Sequence, residues 1–340
     1  MTRTVLVVGA TGRVGSAVCR ALVGHRSGTD GAEGVGERSA DRDPAGTTAG
    51  ATEPGSADAA GATVPPVPTV PALGDTATGG DDVVVRAATR RPEAATVPAD
   101  ERVEFDVERP ETWGPALADV DALFLLYPPG IPTGRVRAFA DAADRVGVRR
   151  VAFLSVLNAG DVPVLPHRRI ERHLDGRGMD ATALRAGYFY QNLAGVHAPD
   201  VRERDEVFVP AGDARTAMVD ARDVGAAAAV ALVAPDRRHA SRAYELTAGA
   251  YTYEEVATAL GEALDRPIRY VDPSIPAFVR RLRARGTPWG LVAFMLAEYT
   301  VARFGVVPVD RTCDDLAELL ERAPVTLGTF AADYRDCWTR

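Results

Sequence analysis

An α/β fold, with a doubly wound parallel sheet and a smaller C-terminal lobe, is predicted by three features of the 340-residue chain. A strand, a glycine-rich turn and a helix open the sequence in that order. Strands and helices then alternate on short loops as far as Gly187. Beyond that point the segments shorten and the alternation loosens.

Thr4–Val8 (TVLVV) has the apolar, valine-rich character of a strand buried on both faces. Gly9-Ala-Thr-Gly12-Arg-Val-Gly15 follows, then SAVCRALV, in which Val14, Ala17, Val18, Ala21 and Leu22 recur at helical spacing. Gly9 permits a tight turn, Gly12 lets the backbone approach a pyrophosphate, and Gly15 allows helix and strand to pack closely. A helix N-terminus placed there offers N–H groups to phosphates. A turn that binds nothing is the plainer alternative, but the strand before and helix after favour a Rossmann-type dinucleotide site.

Residues 26–82 differ in character: Gly, Ala, Thr, Pro, Asp and Ser dominate, with no aromatic residue and Leu73 as the single leucine. Such a segment buries too little apolar surface to offset its ordering entropy, so a disordered insertion is expected between the first helix and second strand. Loop-closure entropy grows only logarithmically with length, which makes it tolerable. Regular patterning resumes with strands at Val83–Thr89, Val103–Phe105, Ala122–Tyr127, Arg150–Ser155 and Ala181–Ala186. Helices are expected at Arg135–Val146 and His167–Leu174. Residues 1–25 and 83–187 thus read as the dinucleotide-binding core, and 188–340 as a smaller substrate lobe. The lobe is expected to hold helices near Arg222–Val233 and Tyr253–Leu264, a strand near Tyr244–Leu246, and a helical stretch Ile275–Phe304 broken at Gly286-Thr-Pro288.

The tip of the second strand discriminates between dinucleotides. An acid there accepts from a ribose hydroxyl, whereas an arginine suits a 2′-phosphate. The residues are Thr89-Arg90-Arg91-Pro92, with no acid, so NADP(H) is favoured over NAD(H), with Arg90 ahead of Arg91. A solvated arginine pair is the competing reading.

Composition limits the remaining classes. Apolar residues make up 46% and charged residues 25%, ordinary for a globular protein, and the net charge of −8 argues against general nucleic-acid binding. All positive side chains are arginine; the chain contains no lysine. Cys19, Cys313 and Cys337 lack metal-ligand spacing, so no metal site is expected and a reducing, cytoplasmic setting is the simpler reading. Glycine interrupts the first apolar run at Gly9, unlike a secretory signal, and Trp289–Ala297 is too short to span a bilayer, so no membrane role is expected.

The glycine spacing, the TRRP turn, FLLYPP, FLSVLNAG, HRRIE (His167–Glu171), LRAGYFYQN (Leu184–Asn192), VPAGDARTAMVDARDV and YELTAGAYTYEEVA together resemble the NmrA-like family of atypical short-chain dehydrogenase/reductases. The resemblance implies an NAD(P)H-binding Rossmann core, serving either small-molecule reductases or redox sensors with little catalysis. By position it implies cofactor contacts from Gly9, Thr11, Gly12, Arg13, Val14 and Arg90, to which the glycine motif and the strand tip add Gly15 and Arg91. Asp106 and Val107 would lie near the adenine, and Tyr127, Pro128 and Ser155 near the nicotinamide end. The long insertion departs from the family's short connection.

The wider superfamily uses a Tyr-x-x-x-Lys pair, which a chain without lysine cannot form. His167 and Glu171 stand at the corresponding i and i+4 positions, where an imidazole could donate a proton with the carboxylate orienting it. An ordinary helix-start pair is the alternative. Ser155 could bond a substrate carbonyl or merely end its strand. Tyr188, Tyr190, Gln191 and Asn192 follow the sixth strand, where they would line a site for a flat, quinone-like substrate or pack the lobe. Two function classes follow: an NADPH-dependent reductase of a small carbonyl, quinone or imine, and a non-catalytic NADP(H) sensor acting through a protein partner. For the sensor, Val292, Phe294, Met295 and Leu296 offer a partner surface, with core packing as the alternative. A sugar-nucleotide epimerase is disfavoured by the missing tyrosine–lysine pair.

Overall fold

The computed structural model describes residues 2–27 and 82–339. The chain runs β1 (Arg3–Val8), α1 (Arg13–Ser27), β2 (Val83–Thr89), β3 (Glu101–Glu104), α2 (Trp113–Leu117), β4 (Ala122–Leu126), α3 (Thr133–Arg145), β5 (Arg150–Val156), α4 (Pro166–Asp175) and β6 (Asp180–Ala186). Short elements follow: β7 (Tyr188–Phe189), α5 (Gln191–Ala194), α6 (Ala198–Arg204), β8 (Glu206–Phe208) and β9 (Thr216–Val219). Then come α7 (Ala221–Val233), β10 (Arg242–Leu246), β11 (Gly249–Tyr251), α8 (Tyr253–Leu264) and β12 (Arg269–Val271). The chain closes with α9 (Ile275–Ala284), α10 (Trp289–Arg303), α11 (Asp315–Leu320) and α12 (Leu327–Asp333). The expected insertion lies largely outside the described residues; its first two, Arg26 and Ser27, continue α1 instead.

The central sheet has the order β10-β6-β5-β4-β1-β2-β3 and is parallel throughout. Val5, Leu6 and Val7 at its centre are fully buried, which is why this strand reads as continuously apolar rather than alternating. One face is covered by α1, α7 and α11, the other by α2, α3 and α4. On the first face a Cβ at Gly225 would come within 2.6 Å of Ala17, so this glycine and Ala226–Ala229 let α7 lie almost backbone-to-backbone on α1.

This arrangement corrects one expectation. The helix near Arg222 and the strand near Tyr244, assigned to the lobe from sequence, belong to the Rossmann layers. β10 pairs in register with β6, from Arg242 beside Thr182 to Leu246 beside Ala186. The lobe proper is built from a three-stranded sheet (β11-β9-β7), the β12-β8 pair and helices packed around a second core. Tyr253, Phe278, Tyr299, Phe330 and Trp338 fill that core. In α10, Val292 and Met295 are core residues and Leu296 packs against them, whereas Phe294 is 57% exposed. Among the described residues no helix is long and apolar enough to cross a membrane.

Candidate active site

The glycine loop fits a dinucleotide on two independent grounds. Gly9 has φ +67°, a left-handed conformation that favours glycine, and its carbonyl accepts from Gly12 N at 2.9 Å. A Cβ at Gly15 would stand 2.1 Å from the Gly9 carbonyl oxygen, so any other residue would force loop and helix apart. The first turn of α1 carries no acid, leaving its positive end uncompensated for an anion. Thr11 is exposed at the loop tip, while the Val14 side chain is buried, so a contact there would come from its backbone N–H.

At the tip of β2, Arg90 and Arg91 are exposed, and neither guanidinium makes a hydrogen bond or ion pair among the described residues. In an arginine-rich chain whose other guanidiniums are widely paired, this pair is open to a phosphate. After β3, Asp106 is locked locally: its carboxylate accepts from Glu108 N at 2.9 Å, and its carbonyl accepts from Trp113 Nε1 at 3.1 Å. Val107 beside it is buried. Beyond β4, Tyr127 and Pro128 are half-buried, and the Tyr127 ring stands edge-on to His167 with centroids 5.2 Å apart.

The expected His167–Glu171 relay is not formed. Glu171 is 3% exposed and accepts four hydrogen bonds: from Ser155 Oγ at 2.6 Å, Arg168 at 2.8 Å, and Arg185 at 2.9 and 3.1 Å. Burial pushes its carboxyl up, but the bonds from Arg185, Ser155 and Arg168 outweigh this and hold it below the usual carboxylate range. Arg185 reaches on to Glu245 of β10 at 3.3 Å. Glu171 is therefore a structural anchor joining β5, α4, β6 and β10. Ser155, 2% exposed, has given its single proton to that anchor and has none for a substrate. Burial drops the His167 imidazole to about 4 despite the opposing charge of Glu171, so it is neutral at pH 7, with the Tyr127 ring edge-on to it.

The residues after β6 need a second correction. Tyr190 and Gln191 have no exposed surface, and Tyr188 has little, so three of the four expected substrate contacts are interior. Gln191 clamps the start of α7: its Nε2 donates to Asp220 at 2.8 Å and its Oε1 accepts from Ala221 N at 3.0 Å. Asp220 in turn caps the helix and binds the buried Arg222. The YQN and VDARD motifs are thus two halves of one fold-stabilising contact. Tyr190 packs on Phe330, and its hydroxyl reaches Tyr251 at 3.5 Å.

Asn192 alone of the four is partly exposed, and it accepts from Arg13 of the glycine loop at 2.6 Å. The Tyr188 hydroxyl meets His197 and Tyr299, each at 3.1 Å; the Tyr299 hydroxyl and His197 Nε2 are 2.6 Å apart. Sequence reasoning missed Arg185, His197 and Tyr299, whose partners lie on other elements. Among the described residues, no group of His, Cys, Asp and Glu is suited to hold a metal.

Comparison with known proteins gives this geometry a context. Residues 78–331 match the model of the NmrA-like family. The chain is 30% identical over 237 residues to an NAD(P)H azoreductase of Xenophilus azovorans, a match covering 68% of this chain and 79% of the relative. Among solved structures it superposes on the NADPH complex of an NADPH-dependent quinone oxidoreductase from Escherichia coli, with TM-score 0.69 and 21% identity over 97% of this chain and 98% of that one. It also superposes on NmrA, a negative transcriptional regulator, with TM-score 0.65 and 15% identity over 98% of this chain and 95% of that one.

Proposed function

Because the chain belongs to the NmrA-like family, we propose that it is an NADPH-dependent reductase of a small, flat acceptor, a quinone, carbonyl or imine. NAD(P)-type binding has the support of the azoreductase relative and of the neighbour solved with NADPH. The preference for the phosphorylated dinucleotide rests on one observation: two exposed, unpartnered guanidiniums, Arg90 and Arg91, stand where no acid could receive a ribose hydroxyl. When bound, the dihydronicotinamide supplies hydride. The chain's residues do the rest. The glycine loop and α1 hold the pyrophosphate, Arg90 holds the 2′-phosphate with Arg91 beside it, and the Tyr127 and His167 rings, packed edge-on, flank the reacting end.

Steady-state dihydronicotinamide oxidation against quinone, azo and carbonyl acceptors tests this reading. Turnover with NADPH, weaker with NADH, is the expected result. The competing sensor reading draws on the Ser155–Glu171 bond, which fills the superfamily's usual catalytic position with a structural contact. Tight NADPH binding with no turnover on any acceptor would favour it.

A further inference from the structure

The link between α10 and α11 crosses from one half of the molecule to the other. Residues 304–314 form no helix or strand, and two consecutive carbonyls near the middle are held from opposite sides. The Pro308 carbonyl accepts from Asn158 Nδ2 at 3.1 Å, in the loop between β5 and α4 of the Rossmann half. The Val309 carbonyl accepts from Ala217 N of β9, in the lobe, at 2.7 Å. This stretch therefore straps the seam between the halves, beside the carboxyl ends of the central strands, where ligands of this architecture bind. The Asn158 loop runs from Ser155 to the start of α4, where His167 stands edge-on to Tyr127.

The strap is held lightly and has room to move. Gly305 has φ +61°, and a Cβ there would meet nothing, so the chain can turn at that point without a clash. Phe304 and Val306 on either side of it are 69% and 70% exposed. Further on, Asp310, Thr312 and Cys313 form one wall of a cavity of about 710 Å³, with the Thr247–Ala250 turn opposite. Nothing is packed there to resist displacement. Arg311 pairs with Asp161 of the Asn158 loop at 2.8 Å, but both side chains are half exposed and the pair is weak. Asn158 itself is buried with φ +62°, and its Oδ1 has no hydrogen-bond partner. An unsatisfied buried acceptor penalises the closed form, which keeps an open form within reach.

We propose that residues 304–314 open to admit the acceptor and close over it, turning at Gly305, with Asn158 as the latch. The proposal rests on the reductase reading above. Asn158 is a positioning residue: it touches the strap and acts on the acceptor through it. The exposed Phe304 and Val306 side chains give the strap an apolar surface from which a flat ring displaces water on closing. An acceptor that binds the closed form more tightly than the open one shifts the strap toward closure.

Asn158→Gly provides the test, because glycine keeps the left-handed backbone and removes only the side-chain bond. The first readout is hydrogen exchange at the Ala217 amide, which donates to the strap and reports its opening without turnover. Exchange there should be about 10-fold faster in the variant, with β1 amides unchanged. A naphthoquinone added with NADP+, a pair that cannot react, should slow Ala217 exchange in the wild type. The second readout is steady-state kinetics. The KM for the naphthoquinone should rise about 10-fold, while kcat and the KM for NADPH stay within about twofold. Arg311→Ala, a surface change that loosens the same strap, should move both readouts in the same direction by about two- to threefold. It decides the matter if Asn158→Gly does not fold. Ala217 exchange that neither variant alters, or that the naphthoquinone leaves unchanged, overturns the strap. Equal rises in KM for NADPH and the naphthoquinone also overturn it, because the loss is then general. Protection of Ala217 by the naphthoquinone without turnover on any acceptor overturns the reductase reading and leaves a strap that closes over a bound ligand.

Discussion

Two glutamates, Glu171 on α4 and Glu298 on α10, have opposite surroundings. Glu171 lies in the Rossmann half with four hydrogen bonds, three of them from guanidinium groups, and is held ionised. Glu298 lies in the lobe among phenols and aliphatic groups, with no cation beside it, and is lifted toward neutrality. The difference separates an acid held ionised by its partners from one that burial lifts toward neutrality. A carboxylate saturated by arginines has neither a proton to give nor a lone pair to spare. The position that the superfamily's active site would suggest is structural here.

The largest expected effect of breaking this contrast is on stability. Glu171→Ala strands Arg185 and Arg168 without their carboxylate, at a cost of about 3–5 kcal/mol, read as a fall in the denaturant midpoint. A loss below about 1 kcal/mol would mean the anchor is dispensable. Acidification comes next. His167 and His197 are both held near 4 by burial, below their unfolded value of 6.5, so the stability tied to their neutral forms is intact above pH 6.5 and is lost as pH falls toward 4. Glu298, shifted upward, opposes that loss over the same range. The wild type should lose about 2 kcal/mol between pH 7 and pH 5, and Glu298→Gln roughly twice as much. Parallel curves for the two proteins would remove the distinction between the acids.

The effect on cofactor choice is somewhat smaller. Arg90→Ala should weaken NADPH by about 10- to 100-fold while leaving NADH within about twofold, measured by fluorescence titration. Equal losses for both dinucleotides would contradict the role given to the strand tip.

Local physics explains what could be read in advance. Gly9 and Gly15 are dictated by a left-handed turn and a 2.1 Å clearance, so their spacing survives in the sequence as a motif. Strands β2 and β5 are apolar because both faces are covered, and their limits were visible to within a residue. The pairing of Glu171 with Arg185 was not visible, because it joins a helix to the following strand and nothing in either segment names the other. β10 looked like a lobe strand because three-dimensional register, not sequence proximity, carries it to the sheet edge. Tyr188, Tyr190 and Gln191 were misread because a polar aromatic cluster after a strand looks the same whether it lines a cleft or closes a core. Burial alone separates the two.

One measurement bears most directly on the account: purified protein mixed with NADPH and a quinone, with dihydronicotinamide absorbance and hydroquinone followed together. Both are expected to change in a one-to-one ratio. Saturable NADPH binding with no hydroquinone formed, across quinone, azo and carbonyl acceptors, would contradict it.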